Sequence, residues 1–320
     1  MNVDKYIKLF GKSVLYDLGA AGGTPPPFVF LEGEISIVTF EPEPKAEVAG
    51  NAINCSSAVG PEHLKTLYVN RRPTTSSLLR ANKVIVDRYD WTKQFPDQGD
   101  IFETLEEIKV ETSPLDDIVN LQSLPRPDFL KIDTQGLTYE VIEGAKETIG
   151  SSVLGIQVEV EFSEFYQGQK TFGAIHELLY EMGFEIFDIS NINKWYFRTE
   201  EKIAKPKGQH TFCDLTYFRK PEEVGGDIVS DEATLQKLIG LLLLFDYNDA
   251  AMAYLERGMK QNIISQTGEY AKFISDWPTS LEYFYAPKTD ACLPKRSIKD
   301  KFLDLSLRNI LYRIKRKLSV

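Results

Sequence analysis

The chain is poor in the residues that build covalent and metal-held scaffolds. Its 320 residues include three cysteines (Cys55, Cys213, Cys292), three histidines and three tryptophans. Three widely spaced thiols match neither a disulfide framework nor a zinc-ligand spacing, which excludes both as organising devices. Long apolar runs are also missing: the longest, Leu238 to Phe245, is far short of the ~20 residues needed to cross a bilayer. Basic residues are outnumbered, 37 against 47 acids, and the net charge of −10 argues against a general nucleic-acid binder, whose surface must be positive. A dinucleotide fingerprint, G-x-G-x-x-G with an acid about 20 residues later, is absent. No secretory leader is evident, so a reducing cytoplasm is the expected location.

What is present is an alternation of buried strands and helices. Apolar segments at 13–18, 35–40, 129–132 and 153–160 read as parallel strands. A helical stretch from Leu137 to Ile149 is expected to stop at Gly150, and Phe172 to Met182 repeats its apolar residues at helical spacing before Gly183. Phe184 to Phe187 and Thr211 to Arg219 add two further strands, giving an α/β domain over residues 1–220. Asn54 to Gly60 reads as a short strand plus turn. Residues 61–109 read as a partly irregular excursion, either lying over the ligand edge or forming a surface insertion. Residues 221–230 look like a linker to a helical extension, 221–320. Its first helix carries Leu235, Leu238, Ile239 and Leu242 on one face, and its second is expected to stop at Gly258.

Four acids fall at the carboxyl ends of strands, where open parallel sheets bind ligands: Asp17, Glu41, Asp133 and Glu159. Asp17 precedes the small turn Gly19-Ala20-Ala21-Gly22-Gly23, whose glycines allow close backbone approach. Glu41, at the tip of the second strand, is placed to accept hydrogen bonds from a ribose diol. The combination describes a nucleoside site with no pyrophosphate to cradle. The plainer alternative is that each acid is a cap or turn acceptor.

The series Asp17-Leu18-Gly19-Ala20, Phe40-Glu41-Pro42, Ser113-Pro114-Leu115-Asp116-Asp117, Leu130-Lys131-Ile132-Asp133 and Gln157-Val158-Glu159 resembles the FkbM-type S-adenosylmethionine-dependent methyltransferases over roughly residues 13–220. The resemblance implies a Rossmann-type, seven-stranded class I sheet, mostly parallel, with an antiparallel last strand. It implies S-adenosylmethionine as cofactor, with Asp17, Gly19, Ala20, Ala21 and Gly22 along its methionine part. Glu41 and Pro42 would lie at its ribose and Ala58 beside its adenine. Asp133 and Glu159 become the candidate catalytic bases, with His210 as the candidate histidine and no metal ligand assigned. The acceptor is then expected to be a hydroxyl of a sugar, glycan or secondary metabolite. One position departs from the family: Gln135 stands where an acid is usual, and an amide can neither act as a base nor bind a metal strongly. Tyr166, Trp195, Tyr196 and Trp91 are candidates to stack on the acceptor, and Arg71-Arg72 to contact an anionic one; core packing and solvation are the alternatives.

Residues 301–320 hold six Lys/Arg and one Asp on an amphipathic pattern, leaving −15 on the remainder. Such a segment suits either an anionic membrane surface or docking on an acidic protein. Two other functions stay open from the residues alone: a nicotinamide-dependent oxidoreductase, disfavoured by the missing fingerprint, and a non-catalytic assembly module. No pattern in the sequence specifies an oligomeric state.

Overall fold

The computed structural model describes residues 3–277 apart from 20–24, 32, 41–51, 56, 94, 96–97, 202, 204 and 266–267. Its strands are β1 (Val14–Leu18), β2 (Ser36–Phe40), β3 (Ile53–Cys55), β4 (Ala58–Val59), β5 (His63–Asn70), β6 (Thr104–Ser113), β7 (Phe129–Ile132), β8 (Gly155–Glu161), β9 (Phe184–Ser190), β10 (Lys194–Trp195), β11 (Gln209–His210) and β12 (Phe212–Arg219). Helices α1 (Val3–Phe10), α2 (Lys83–Val86), α3 (Leu115–Gln122), α4 (Thr138–Glu143), α5 (Lys146–Ser152), α6 (Phe172–Glu181), α7 (Glu232–Leu244), α8 (Asn248–Lys260) and α9 (Gly268–Ser275) complete the described elements. Seven strands form one sheet in the order β3-β2-β1-β7-β8-β12-β9. Neighbours run parallel, except that β12 is antiparallel to both β8 and β9. This is the class I methyltransferase architecture.

Register follows from which face each side chain must bury. Leu18 aligns with Phe40 on one side and Ile132 on the other, and Ile132 with Val158. That row joins the core beneath α3 to α6, so a slip of one residue would put it on the wrong face. The opposite face is aromatic: Phe129 stacks on Phe245 at 5.1 Å and meets Phe28 at 5.0 Å. Gly155 makes room for this packing, because a Cβ there would lie 2.8 Å from both Phe129 and Phe218.

The helices after residue 220 pack on this face. Lys237 on α7 donates to both carboxylate oxygens of Asp128, each at 3.0 Å, while Val14 N–H donates to the same carboxylate. Tyr254 on α8 donates to the Arg219 carbonyl at 2.5 Å. The change at 220 is therefore one of composition, and the residues that follow belong to a compact unit running to Thr279. The segment read as a linker is packed too, with Val224 and Val229 buried and bridged.

Two helix ends differ from the sequence expectation. The stretch expected as one helix to Gly150 is two, α4 and α5, broken at Gly144. There the Gly144 carbonyl accepts from Asp116 N–H at 3.0 Å, and the Asp116 carboxylate caps α5 through Glu147 N–H and Thr148 N–H at 2.9 and 2.8 Å. Capping at this point outweighs continuation. Gly258 likewise lies inside α8 and serves packing, since a Cβ would fall 2.2 Å from Leu235 Cδ2. Residues 61–109 are more regular than expected: β5 and β6 pair antiparallel from His63↔Thr112 to Asn70↔Thr104. The terminal segment 301–320 lies outside the described residues. Among those described, no helix is long and apolar enough to cross a membrane.

Arg219 ties the amino-terminal edge of the sheet to two helices. Its buried guanidinium donates to the carbonyls of Val153, Ile149 and Met182 at 2.8, 2.5 and 2.6 Å. These carbonyls end α5 and α6, where helices leave acceptors unsatisfied and favour a cation. Burial lowers the Arg219 pKa to about 10, which still leaves it charged at neutral pH. Arg219→Met strands three buried acceptors and is expected to cost about 3 kcal/mol or more in urea denaturation. Lys220→Met, which removes a single donation to Tyr180 carbonyl at an exposed position, should cost less than about 1 kcal/mol.

Candidate active site

The site forms where the tips of β1 and β7 meet. Gly19 N–H donates to the Phe40 carbonyl and Asp133 N–H to the Leu18 carbonyl, at 3.1 and 2.9 Å. Gly19 has φ +87°, and a Cβ on it would lie 2.1 Å from the Asp133 carbonyl oxygen. Only glycine fits here, by conformation and by space. Two residues earlier, Asp17 is buried and accepts from Lys131 Nζ at 3.0 Å. Burial raises the Asp17 carboxyl pKa and Lys131 opposes that rise. For Lys131, burial alone would lower the pKa, but the Asp17 and Asp133 carboxylates outweigh it and raise it. Lys131 thus holds the strand-end acid that precedes the glycine turn.

One row further along, the register brings acids together. Glu159 on β8 is directly opposite Asp214 on β12, and Asp133 follows β7 beside them. Gln135 spans the group: its side-chain nitrogen donates to Asp133 Oδ1 at 2.8 Å and to Glu159 Oε1 at 3.1 Å. Burial, with Asp133, Glu161 and Asp214 adding repulsion, pushes Glu159 well above the usual carboxylate range. Burial likewise carries Asp214 up to about 6, against the hydrogen bond it accepts from Asn191 at 2.5 Å. Glu161 is buried and reaches about 8, mainly through desolvation, and its Oε2 has no hydrogen-bond partner. Among the described residues, no three His, Cys, Asp or Glu side chains are arranged to share a metal ion.

The other sequence candidates fall in different places. Ala20, Ala21, Gly22, Glu41 and Pro42 lie outside the described residues. Ala58 is buried on β4, paired with Thr112 in a small second sheet. His210 is exposed on β11, opposite Lys194, and makes no described hydrogen bond to the carboxylates. The candidate stacking residues are mostly core: Trp91 and Trp195 pack edge-on at 4.4 Å, and Tyr166 lies in the same buried cluster. Arg71 is paired with Glu103, and Arg72 lies over the Phe95 ring at 4.1 Å. Sequence reasoning missed Lys131, Glu161 and Asp214 as members of the site. The period-two step from Glu159 to Glu161 and the acid inside an aromatic strand, Phe212-Cys213-Asp214, were the available signals.

Residues 17–186 match the Methyltransferase FkbM domain. The chain belongs to this family. Its cofactor is S-adenosylmethionine, and the FkbM domain here contains Asp17, Gly19, Lys131, Asp133, Gln135, Glu159 and Glu161, while Asp214 lies beyond it. Over 187 residues the chain is 27% identical to the 2-O-methyltransferase NoeI of Sinorhizobium fredii (strain NBRC 101917 / NGR234), covering 52% of this chain and 70% of that one. Solved structures with similarity include a precorrin-6y C5,15-methyltransferase from Geobacter metallireducens GS-15, 16% identical at a TM-score of 0.29, covering 68% of this chain and 86% of that one. Another is magnesium protoporphyrin IX methyltransferase (ChlM) from Synechocystis PCC 6803 with bound SAM, 11% identical at a TM-score of 0.30, covering 68% and 76%. Among the described residues the cofactor bears on one point: a Cβ on Gly19 would strike the Asp133 carbonyl, so only glycine lets the β1 tip lie against Asp133 where the family's glycine turn begins.

The raised acids make the FkbM domain's stability depend on pH in a definite direction. Asp214 and Glu161 bind protons more tightly folded than unfolded, where values of 3.8 and 4.5 apply. Their contribution is therefore complete below those values and is lost as pH rises through about 6 and about 8. Scanning calorimetry should give a higher unfolding temperature at pH 6 than at pH 8.5, by roughly 2–4 °C. Glu161→Gln should raise the value at the higher pH and flatten the dependence.

Proposed function

We propose that this chain methylates a hydroxyl group of a sugar, glycan or secondary metabolite, using S-adenosylmethionine. The observation that supports the reading is the close approach of Gly19 to the Asp133 backbone, with Glu159 and Asp214 beside Asp133, next to the glycines read as the cofactor turn. When bound, S-adenosylmethionine supplies an electrophilic methyl carbon and leaves as a neutral thioether.

The chain's own residues then have two tasks. The first is to hold the acceptor oxygen in line behind that carbon and exclude water, which can contribute several kcal/mol by orientation alone. The second is to take the hydroxyl proton. Asp133 and Glu159 lie at adjacent strand tips and are the groups assigned to it. A carboxylate whose proton affinity is raised by burial, as at Glu159, is a stronger base than an exposed one. Oxygen as the accepting atom is supported by the relative named as a 2-O-methyltransferase. The small-molecule or glycan character of the acceptor is part of the proposal. So is docking on a membrane or protein through residues 301–320.

The test uses the full-length chain. Calorimetry should detect S-adenosylhomocysteine binding, and a panel of glycans with isotopically labelled methyl donor should give label at a hydroxyl. Asp133→Asn and Glu159→Gln are each expected to lower turnover by about 10²–10⁴-fold. Label appearing on nitrogen or carbon, or full activity in both variants, would refute the hydroxyl assignment.

A further inference from the structure

Gln135 adopts a backbone conformation that a glutamine rarely takes, φ +47°, and Gly136 follows at φ +88°. For a residue bearing a Cβ this region costs roughly 1–2 kcal/mol, so surrounding contacts must enforce it. They are visible on every side. The Ser77 hydroxyl donates to the Gln135 carbonyl at 2.6 Å. The Tyr166 ring packs over Gly136, where a Cβ would come within 2.6 Å of it. The Tyr166 hydroxyl lies 3.3 Å from Gln135 Oε1 and 3.0 Å from the Thr75 carbonyl.

The opposite end of the amide decides its orientation. The amide nitrogen lies between Asp133 Oδ1 and Glu159 Oε1, where it can donate one proton to each acid. Its two protons are directed to two acids on two different strands, at 2.8 and 3.1 Å. A carboxylate in this position would add a like charge between them; an aliphatic side chain would leave them to repel each other. The amide is neutral, and it draws both together.

We propose that Gln135 is a positioning residue whose side-chain amide ties the Asp133 and Glu159 carboxylates into one proton-accepting pair. The strained turn is retained because it delivers that amide. This rests on the methyl-transfer reading: the hydroxyl proton passes to the pair as the methyl group takes its place on oxygen. Gln135 cannot itself accept the proton, but it sets the charge balance of the two groups that can.

Three variants separate this role from that of a turn residue. Gln135→Gly relieves the backbone strain and deletes the amide. Gln135→Asn tolerates the left-handed conformation but is one methylene too short to reach both acids. Gln135→Glu supplies a third carboxylate. The readout is the titration of the Glu159 side-chain carbon by NMR in glutamate-labelled protein, assigned with Glu159→Gln. In the Gly and Asn variants the Glu159 midpoint is expected to rise by about one pH unit, the worth of a charge-assisted hydrogen bond. In Gln135→Glu it should rise further. An unmoved or lowered midpoint in folded Gly and Asn variants would overturn the proposal and leave Gln135 as a turn residue. Calorimetry of the wild-type chain with S-adenosylhomocysteine judges the underlying reading separately: absence of binding would overturn the role in methyl transfer, while the titration still decides the bridge.

Discussion

The contact between the Gly19 backbone and the Asp133 carbonyl is the constraint from which the rest of the site follows. Two parallel strands at the centre of a sheet normally separate beyond their last hydrogen bond, because side chains push their tips apart. Here β1 and β7 stay together one residue longer, since Gly19 presents no Cβ. The ladder itself sets Asp17 opposite Lys131, and beyond it Asp133 lies beside Glu159 and Asp214. The close approach at Gly19 fixes where β1 meets Asp133, and the β8–β12 register adds the other acids to that edge.

The acid wall is costly. Each of Glu159, Glu161 and Asp214 holds its proton more tightly than a solvated carboxylate, chiefly because burial penalises the charge. The fold offsets this elsewhere with buried polar contacts that are complete. Asp128 is satisfied by Lys237 and a backbone amide, and Arg219 by three helix-end carbonyls. At the ligand edge, by contrast, Glu159 faces the neighbouring acids Asp133, Glu161 and Asp214, and only the Gln135 amide stands between two of them. A partly buried acid with high proton affinity is what general base chemistry at neutral pH needs, so stability and reactivity pull in opposite directions at this edge.

Much of the sheet was legible because a buried parallel strand is a local signal. Val14 to Leu18 and Phe129 to Ile132 are short apolar runs whose ends are marked by acids, and chain order supplied the family. Helix ends were less legible because they depend on partners distant in sequence. Gly144, not Gly150, breaks the helix, since Asp116 from about thirty residues earlier caps the next one. Gly258 was read as a stop when its true constraint is Leu235 on another helix. The acids of the site divide in the same way. Asp133 and Glu159 sit at strand ends and announce themselves, whereas Asp214 acquires its place only when β12 pairs antiparallel with β8. His210, the candidate histidine, lies in the two-residue ladder with β10 and is exposed.

The position of β12 has a consequence for how the chain is made. Among the described residues it is the last strand in sequence, yet it lies between β8 and β9, not at an edge. A ribosome therefore releases β8 and β9 as two open edges before the strand that joins them exists, and both wait with unpaired backbone groups. Until Arg219 emerges, α5 and α6 also lack the cation that satisfies their terminal carbonyls. The sheet thus stays incomplete until β12 is made, and it is joined by a strand placed between two earlier ones rather than added at one side.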